Sequence, residues 1–407
     1  MPTRPDIHGK MPPPLMTSDP GSFARATIVK RKPQIIDQVI EDNAYPPAVL
    51  RALAEFKEEI ASQPIRPIQE KATDVNFWND QQALYQGCTW LEVPWYFAET
   101  YFYRRLLEAT TYFQPGPLQR LDPFLKQKIA SIQAGVEWFD VAWLHFEVIE
   151  PQVAFEALLH SCLWGNRADL SNYTVEEQAR GGLAALEERH LILIDHTDQV
   201  RQLLRGGLPR VDFITDNVGK ELLFDLALAD YILRQGWAGQ VVFRLKDRPF
   251  FVSDAMPADV QATLAQIGQA RSLPTRQLGQ RLSYFHASDK LVLTADPFFT
   301  SCLMYRQMPL YLHETLSTAD LVFIKGDVNY RRLLDDSHWP HTTPMEAVTD
   351  YFPASFVTLR TLKGEIMVGL SSEQVESLKL AEPDWLINGK RGVIQFVRKD
   401  RGEYSNE

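Results

Sequence analysis

Oxygen-bearing side chains follow two apolar runs in the second half of the chain. Asp216 and Asn217 come after the run at residues 211–214, and Asp254 ends the run that begins at Phe250. Carboxylate and amide oxygens are the ligands that hard divalent cations prefer in proteins. Each segment taken alone is better explained as a capped turn, because Asp and Asn favour such positions. Together the two segments predict a metal site.

Hydrogen-bonding groups are dense after a third apolar run, at residues 321–324. The seven positions that follow this run include Lys325, Asp327, Asn329, Tyr330 and Arg331. Gly326 lies among them and would allow backbone N–H groups to approach an anion closely. The segment therefore predicts an anion-binding site rather than an ordinary turn.

Two more cations, Arg360 and Lys363, follow a fourth apolar run at residues 356–359. Arginine can bind phosphate through two parallel hydrogen bonds, and lysine supplies a compact positive charge. In isolation, these two side chains are equally well explained as solvated surface charges.

One edge of a parallel sheet would collect all of these groups. In an open α/β sheet the ligand binds beyond the carboxyl ends of the strands, so the oxygen ligands and the cations would meet there. A hard metal ion beside cationic side chains suits the transfer of a phosphoryl group to water, because the metal acidifies bound water and neutralises developing charge. The residues therefore predict a metal-dependent phosphatase.

The elements that would position these groups are strands alternating with helices after a turn-rich junction near residue 205. The short apolar or β-branched runs lie at residues 211–214, 241–245, 291–294, 321–324, 356–359 and 393–397. Helical patterns separate most of them, notably at residues 219–235 and 257–268. This alternation predicts a Rossmann-like three-layer α/β/α domain with a mainly parallel sheet.

The first half of the chain is predicted to be mostly helical. Apolar residues recur at helical spacing in the segments 34–62, 90–109, 128–147, 151–163 and 174–190. We predict a helical N-terminal domain, residues 1–205, packed on an α/β domain, residues 206–407, with the site between them. Glu99, Tyr103 and Arg104 could reach this site from the helical side, or could form a polar contact between the domains.

The composition limits the classes of partner and the compartment. A net charge of −10 without a long basic run argues against binding of nucleic acid. Three widely spaced cysteines, Cys88, Cys162 and Cys302, do not support a disulfide framework or a zinc ribbon. The sequence has no secretory signal pattern and no apolar run long enough to span a membrane. We therefore expect a cytoplasmic protein that acts on small molecules.

Three segments resemble motifs of the damage-control phosphatase family, also called the domain of unknown function 89 family. They are Asp-Asn-x-Gly-x-Glu at residues 216–221, Lys-Gly-Asp-x-Asn-Tyr-Arg at residues 325–331 and Arg-Thr-x-Lys at residues 360–363. The Arg-Thr-x-Lys motif is similar to that of subfamily III, which includes proteins described as protein-glutamate methyltransferases. The resemblance covers nearly the whole chain, including residues 21–24 and 94–105.

This resemblance implies a metal site of Asp216, Asn217 and Asp254 that holds manganese, cobalt, nickel or magnesium. It also implies contact between the substrate phosphate and residues 327–331 and Lys363. We add Glu221, Lys325 and Arg360 to the predicted substrate-binding set. Hexose phosphates such as fructose 1-phosphate are the expected substrates, and the expected role is the repair of metabolite damage.

Two alternatives remain open at this point. In a methyltransferase, Glu221 and Asp254 would contact S-adenosylmethionine, although the first predicted strand of the second half lacks the glycine-rich loop of many such folds. The other alternative is a sugar-phosphate sensor without enzymatic activity. The sequence does not determine the exact substrate, the native metal or the oligomeric state.

Overall fold

A seven-stranded sheet forms the centre of the computed structural model, which describes residues 11–146, 149, 151–165 and 188–399. The strands are β1 (Ile192–Asp195), β2 (Leu208–Ile214), β3 (Ala238–Leu245), β4 (Leu291–Ala295), β5 (Leu321–Lys325), β6 (Phe356–Thr361) and β7 (Gly392–Val397). Their spatial order is β1-β7-β6-β5-β2-β3-β4. The six predicted strands are all present, and β1 is an additional strand.

The central strands β2 to β6 all run in the same direction. The pairs β2–β3, β2–β5, β3–β4 and β5–β6 are parallel, whereas β7 runs antiparallel to β6, and β1 runs parallel to β7. The predicted α/β fold with a mainly parallel sheet is therefore confirmed. The carboxyl ends of β2, β3, β5 and β6 meet at one edge, where the predicted site residues follow.

Helices cover both faces of this sheet and fill most of the first half of the chain. They are α1 (Phe23–Ala26), a π-helical turn (Thr27–Arg31), α2 (Lys32–Asp42), α3 (Pro47–Ser62), α4 (Val75–Ala83), α5 (Trp95–Ala109), α6 (Leu125–Phe146), α7 (Pro151–Trp164), α8 (Thr197–Arg205), α9 (Lys220–Arg234), α10 (Pro257–Gly268), α11 (Leu273–Ala287), α12 (Leu310–Ser317), α13 (Gly326–Leu333), α14 (Met345–Val348) and α15 (Ser372–Ala381). The prediction of a mainly helical first half is thus confirmed for the residues that the structure describes.

Each face of the sheet has its own apolar core, because successive strand residues point to opposite sides. Val211, Phe213 and Phe323 pack against α6 to α11. On the other face, Ile214 and Val322 pack against α1 to α5 and α13 to α15. Both cores contain residues from each side of residue 205. The predicted division into two domains there stays a prediction.

Placing Asp254 at the carboxyl end of a strand required the apolar run that begins at Phe250 to be a strand in addition to the six runs above, and this expectation is wrong. The segment forms a tight turn in which Phe251 and Val252 have φ values of 45° and 68°. Such values are rare for a β-branched residue such as valine. The reversal directs Asp254 back towards Asn217, as the site geometry below describes.

One further expectation concerns the end of the helical half. Most of the predicted helix at residues 174–190 lies outside the described residues, and residues 188–191 form a short 3₁₀ turn.

The three cysteines are free thiols, as predicted. No helix in the described ranges is long and apolar enough to cross a membrane.

Candidate active site

A cavity of about 460 Å³ lies between the carboxyl edge of the sheet and the first helices. The helical side contributes Phe23, Thr27, Arg31, Lys32, Trp95, Glu99, Tyr103 and Ser131. The sheet side and its loops contribute Asp216, Asn217, Val218, Phe251, Ser253, Asp254, Asp327, Val328, Arg331, Lys363, Ile387, Asn388 and Gly389. Six of the predicted site residues therefore line one cavity.

Asp216, Asn217 and Asp254 are held together by the backbones of two loops. Asn217 and Asp254 form an isolated antiparallel bridge, and the N–H of Ala255 donates to the carbonyl oxygen of Asp216 at 2.8 Å. The amide of Asn217 donates to Oδ2 of Asp216 at 2.9 Å. Ser253 donates from Oγ to Oδ1 of Asn217 at 2.5 Å, which fixes the orientation of the amide. The two loops thus present three oxygen-bearing side chains at one place.

Gly326 forms the wall against which Asp216 is packed. Its φ is +85°, and a Cβ added there would lie 1.9 Å from Oδ2 of Asp216. The residue after β5 must therefore be glycine, both for its backbone conformation and for the space that the carboxylate occupies.

Burial makes the carboxyl groups at this end of the cavity hard to ionise. Burial, with repulsion from Glu221 and Asp254, raises the pKa of Asp216 well above its usual value. Burial likewise raises the pKa of Glu221 to about 7, although Lys325 opposes this. The pKa of Asp254 is raised by burial against the opposing charge of Lys246. A bound cation would relieve this cost, because it favours the charged form of each carboxyl group.

The donor set fits a hard divalent cation. Within the part of the chain that the structure describes, Oδ2 of Asp254 accepts no hydrogen bond, although the ammonium of Lys246 lies 3.2 Å from it. The described residues contain no group of three or more His, Cys, Asp or Glu side chains placed to hold a metal. The set of Asp216, Asn217 and Asp254 consists of two carboxylates and one amide, so all of its ligands are oxygens.

Asp327, Arg331 and Lys363 line the cavity beside α13, and their binding of an anion stays a prediction. Asp327 accepts hydrogen bonds from Nε of Arg360 at 2.8 Å and from the backbone N–H of Lys363 at 3.2 Å. These bonds join the loop after β6 to the first turn of α13. Backbone N–H groups in the first turn of a helix lack partners within the helix and attract anions.

Arg331 is fixed before any ligand binds. It donates to Oδ1 of Asp336 at 2.7 Å from Nε and to Oε2 of Glu99 at 2.8 Å from Nη1. Its guanidinium lies 3.3 Å from the ring centroid of Trp95. These contacts join α13 to α5 and hold one cation at the cavity wall.

Glu221 and Lys325 are not among the residues that line the cavity. Nζ of Lys325 lies 2.7 Å from Asp225 and 3.7 Å from Glu221, and it donates to the carbonyl oxygen of Cys162 at 2.6 Å. Lys325 is fully buried. Both residues lie behind Asp216 and Asn217, and Glu221 accepts a hydrogen bond from Asn217 at 3.2 Å.

Asn329, Tyr330 and Arg360 also lie behind the cavity wall. Asn329 donates to the carbonyl oxygens of Thr215 and Lys325 at 3.2 and 2.8 Å. The hydroxyl of Tyr330 donates to Gln395 at 2.9 Å. The guanidinium of Arg360 lies 4.2 Å from the ring centroid of Tyr330. Direct contact between these three side chains and a substrate stays a prediction.

The helical side contributes some residues that sequence reasoning proposed and others that it missed. Glu99 and Tyr103 reach the cavity, whereas Arg104 is bound to Glu70 and Asp74. Lys32 and Arg31 were missed, because helical spacing did not show that a π-helical turn would direct both towards the cavity. Ser253 could have been found from its position next to Asp254.

Comparison with known proteins shows the family of this chain. The model of the damage-control phosphatase ARMT1-like domain matches residues 27–378, which include all of the predicted site residues. The chain belongs to this family. The family model thus spans strands β1 to β6 and most of the helices around the cavity, and it ends before β7.

Two vertebrate proteins illustrate the sequence similarity. The damage-control phosphatase ARMT1 of Danio rerio is 31% identical over 97% of this chain and 99% of its own length. The protein of the same name from Homo sapiens is 31% identical over 95% of this chain and 98% of its length. A DUF89 family protein from Pyrococcus horikoshii has a similar fold, with a TM-score of 0.52 and 14% identity over 92% of this chain and 97% of its own.

Proposed function

We propose that this chain is a metal-dependent phosphatase that hydrolyses phosphate monoesters of small metabolites, hexose phosphates such as fructose 1-phosphate among them. One observation carries the proposal: a single cavity has an oxygen ligand set on one wall and the cations Arg331 and Lys363 beside α13. Its volume of about 460 Å³ is suited to a small molecule. The names of the relatives as damage-control phosphatases support the same reaction class.

Asp216, Asn217 and Asp254 would hold the metal ion in this proposal. Manganese, cobalt, nickel and magnesium all accept oxygen ligands, and a bound divalent ion would polarise the phosphate and acidify water. Gly326 and Ser253 fix the orientation of two of these ligands, Asp216 and Asn217. The protein thus preorganises the ligand set before the metal binds.

The substrate phosphate would lie against Lys363, Arg331 and the first turn of α13. Hydrogen bonds to Asp336 and Glu99 hold the Arg331 guanidinium in place, so its binding of an anion costs little side-chain entropy. Asp327 would keep the backbone of Lys363 at the same place through its accepted hydrogen bond. These residues would neutralise the charge that develops on the phosphoryl group.

The methyltransferase alternative has less support. The relatives are named phosphatases. Residues 215–219 between β2 and α9 contain a single glycine, so they lack the glycine-rich loop of many methyltransferase folds.

The proposal also includes the cytoplasmic location that the sequence predicts.

The test is phosphate release from a panel of sugar phosphates and p-nitrophenyl phosphate, with and without each of the four metals. We expect release that requires added metal and stops with a chelator. Asp254→Ala should lose at least about a hundredfold in rate while keeping its circular dichroism spectrum. Asp198→Ala, at an exposed aspartate on α8, is the matched control. Full activity in the Asp254 variant would disprove the ligand assignment.

Inactivity of the wild type with every metal would favour the methyltransferase or the sugar-phosphate sensor. Calorimetry would then distinguish them, because a methyltransferase should bind S-adenosylmethionine, whereas a sensor should bind hexose phosphates without hydrolysing them.

A further inference from the structure

A π-helical turn on the helical side of the cavity presents adjacent cations to the same space. The backbone N–H of Lys32 donates to the carbonyl oxygen of Thr27, five residues earlier. This wider turn brings Thr27, Arg31 and Lys32 together on the cavity wall, whereas Lys30 is exposed and absent from the lining. Single π-helical turns within longer helices occur often at functional sites.

Lys32 is a buried cation whose position is fixed on several sides. Its residue is 1% exposed, and its ammonium lies 3.2 Å from Oε1 of Glu99. The rings of Tyr103, Phe102 and Phe251 have their centroids 4.7, 5.1 and 5.7 Å from Nζ. Glu99 offsets part of the cost of burying this charge, and the ordered side chain lines the cavity, where it can meet a ligand at little further cost in entropy.

Positive charge is in excess at this end of the cavity. Glu99 lies between Lys32 and Arg331, and Arg331 also binds Asp336. Arg31 lines the cavity at an exposed position, and neither a hydrogen bond nor an ion pair joins it to a residue that the structure describes. Asp327 also lies near Arg331, but Arg360 pairs with it at 2.8 Å. Lys32 and Arg331 are thus matched by Glu99 and Asp336, and the charge of Arg31 is left for a ligand.

Arg31 and Lys32 come from another part of the chain than the groups proposed to hold the transferred phosphate, although Glu99 joins Lys32 to one of these groups, Arg331. Asp327 and Lys363 follow strands β5 and β6, whereas Arg31 and Lys32 come from the helical wall. A small molecule in the cavity would therefore meet cations from both sides.

We infer that Arg31 and Lys32 form a second anion subsite, so that the preferred substrates are small sugars or polyols carrying a second phosphate besides the one that is hydrolysed. The inference rests on the proposed function and names the substrate class within it. The second phosphate stays attached to the product, and its role is binding.

The main test compares kcat/KM for fructose 1-phosphate and fructose 1,6-bisphosphate, in the wild type and in Arg31→Ala. We expect the wild type to prefer the bisphosphate by about tenfold or more, the usual effect of one charge-assisted hydrogen bond. Arg31→Ala should reduce that preference by about tenfold. Lys30→Ala, one residue away on the same turn, should keep the wild-type ratio. An equal loss on both substrates in Arg31→Ala, or no preference in the wild type, would overturn the inference.

Equilibrium binding separates this inference from the proposed function. Calorimetry with chelator present, so that turnover is prevented, should show tighter binding of the bisphosphate, and Arg31→Ala should remove the difference. This result would stand even if no phosphate ester were hydrolysed. Lys32→Met provides a second variant, with its fold checked by circular dichroism, and it should lose the preference as well.

Discussion

Gly326 and Asp216 follow the neighbouring parallel strands β5 and β2 and meet so closely that no side chain fits between them. A Cβ at position 326 would lie 1.9 Å from Oδ2 of Asp216 and 2.3 Å from its Cγ. The glycine belongs to the first turn of the proposed phosphate-binding helix, and the aspartate belongs to the proposed metal set. The proposed phosphate-binding helix and the proposed metal set are therefore in direct van der Waals contact.

The first prediction concerns this contact. Gly326→Ala should reduce phosphatase activity by at least about a hundredfold, because the carboxylate must move or the helix must shift, and a 1 Å displacement can cost that much. Gly87→Ala is the matched control, since Gly87 has a φ of +83° but no atom within 4 Å of an added Cβ. Both variants carry similar backbone strain of about 1 kcal/mol. Equal activities in the two variants would contradict the proposed role of the contact.

The second prediction concerns metal binding and stability. Burial and repulsion from Glu221 and Asp254 raise the pKa of Asp216, so Asp216→Asn should raise the melting temperature of the metal-free protein. Added manganese should stabilise the wild type, because a ligand that binds only the folded state adds to the free energy of unfolding. The variant should lose this response. Asp198→Asn, at an exposed site, should behave like the wild type. A manganese response of equal size in Asp216→Asn would exclude Asp216 as a ligand.

The rule for parallel sheets predicted the position of the site but not the direction of every side chain. Asp216, Asp254, Asp327 and Lys363 were expected at one edge, and all four line the cavity. Lys325 was expected there too, but it lies on the same face of β5 as Phe323, two residues earlier. Alternation along the strand would have indicated this orientation.

Two features of the site could not be predicted from apolar periodicity. Phe250, Phe251 and Val252 have the composition of a strand, yet they form a turn because long-range contacts compensate for their backbone strain. The π-helical turn at Thr27–Arg31 depends on one additional residue per turn, which the spacing of apolar residues does not reveal. Tertiary contacts decide both features.

The third prediction concerns the buried ion pair behind the site. Lys325→Met would leave Asp225 buried without its cation, so the free energy of unfolding should fall by about 3 to 5 kcal/mol. The measurement is chemical denaturation of the metal-free protein. Lys390→Met removes an exposed lysine that lies 3.8 Å from Glu382, and it should cost less than about 1 kcal/mol. A small loss in Lys325→Met would mean that the pair contributes little to stability.

The fourth prediction concerns pH and the binding of a bisphosphate. Burial lowers the pKa of Lys32 to about 8, although the charge of Glu99 opposes this, while Arg31 and Arg331 lower it further. Lys32 is therefore charged below pH 8 and loses its proton above it. Because an anion binds more tightly to the charged form, the affinity for fructose 1,6-bisphosphate should fall between pH 7 and pH 9.5. Calorimetry with chelator present would measure this fall, and it should be absent from Lys32→Met.

The same pKa can be measured through stability, without any ligand. The ordinary pKa of lysine, 10.5, applies to the unfolded chain, and the folded value is about 8. Between these two values the unfolded state binds more protons, so this group makes the free energy of unfolding rise with pH. The wild type should therefore gain stability relative to Lys32→Met from pH 8 to pH 10, by a total on the order of 3 kcal/mol if the window were fully covered. A difference between the two proteins that stays constant over this range would mean that Lys32 keeps an ordinary pKa, and the cost of burying its charge would then be offset by Glu99.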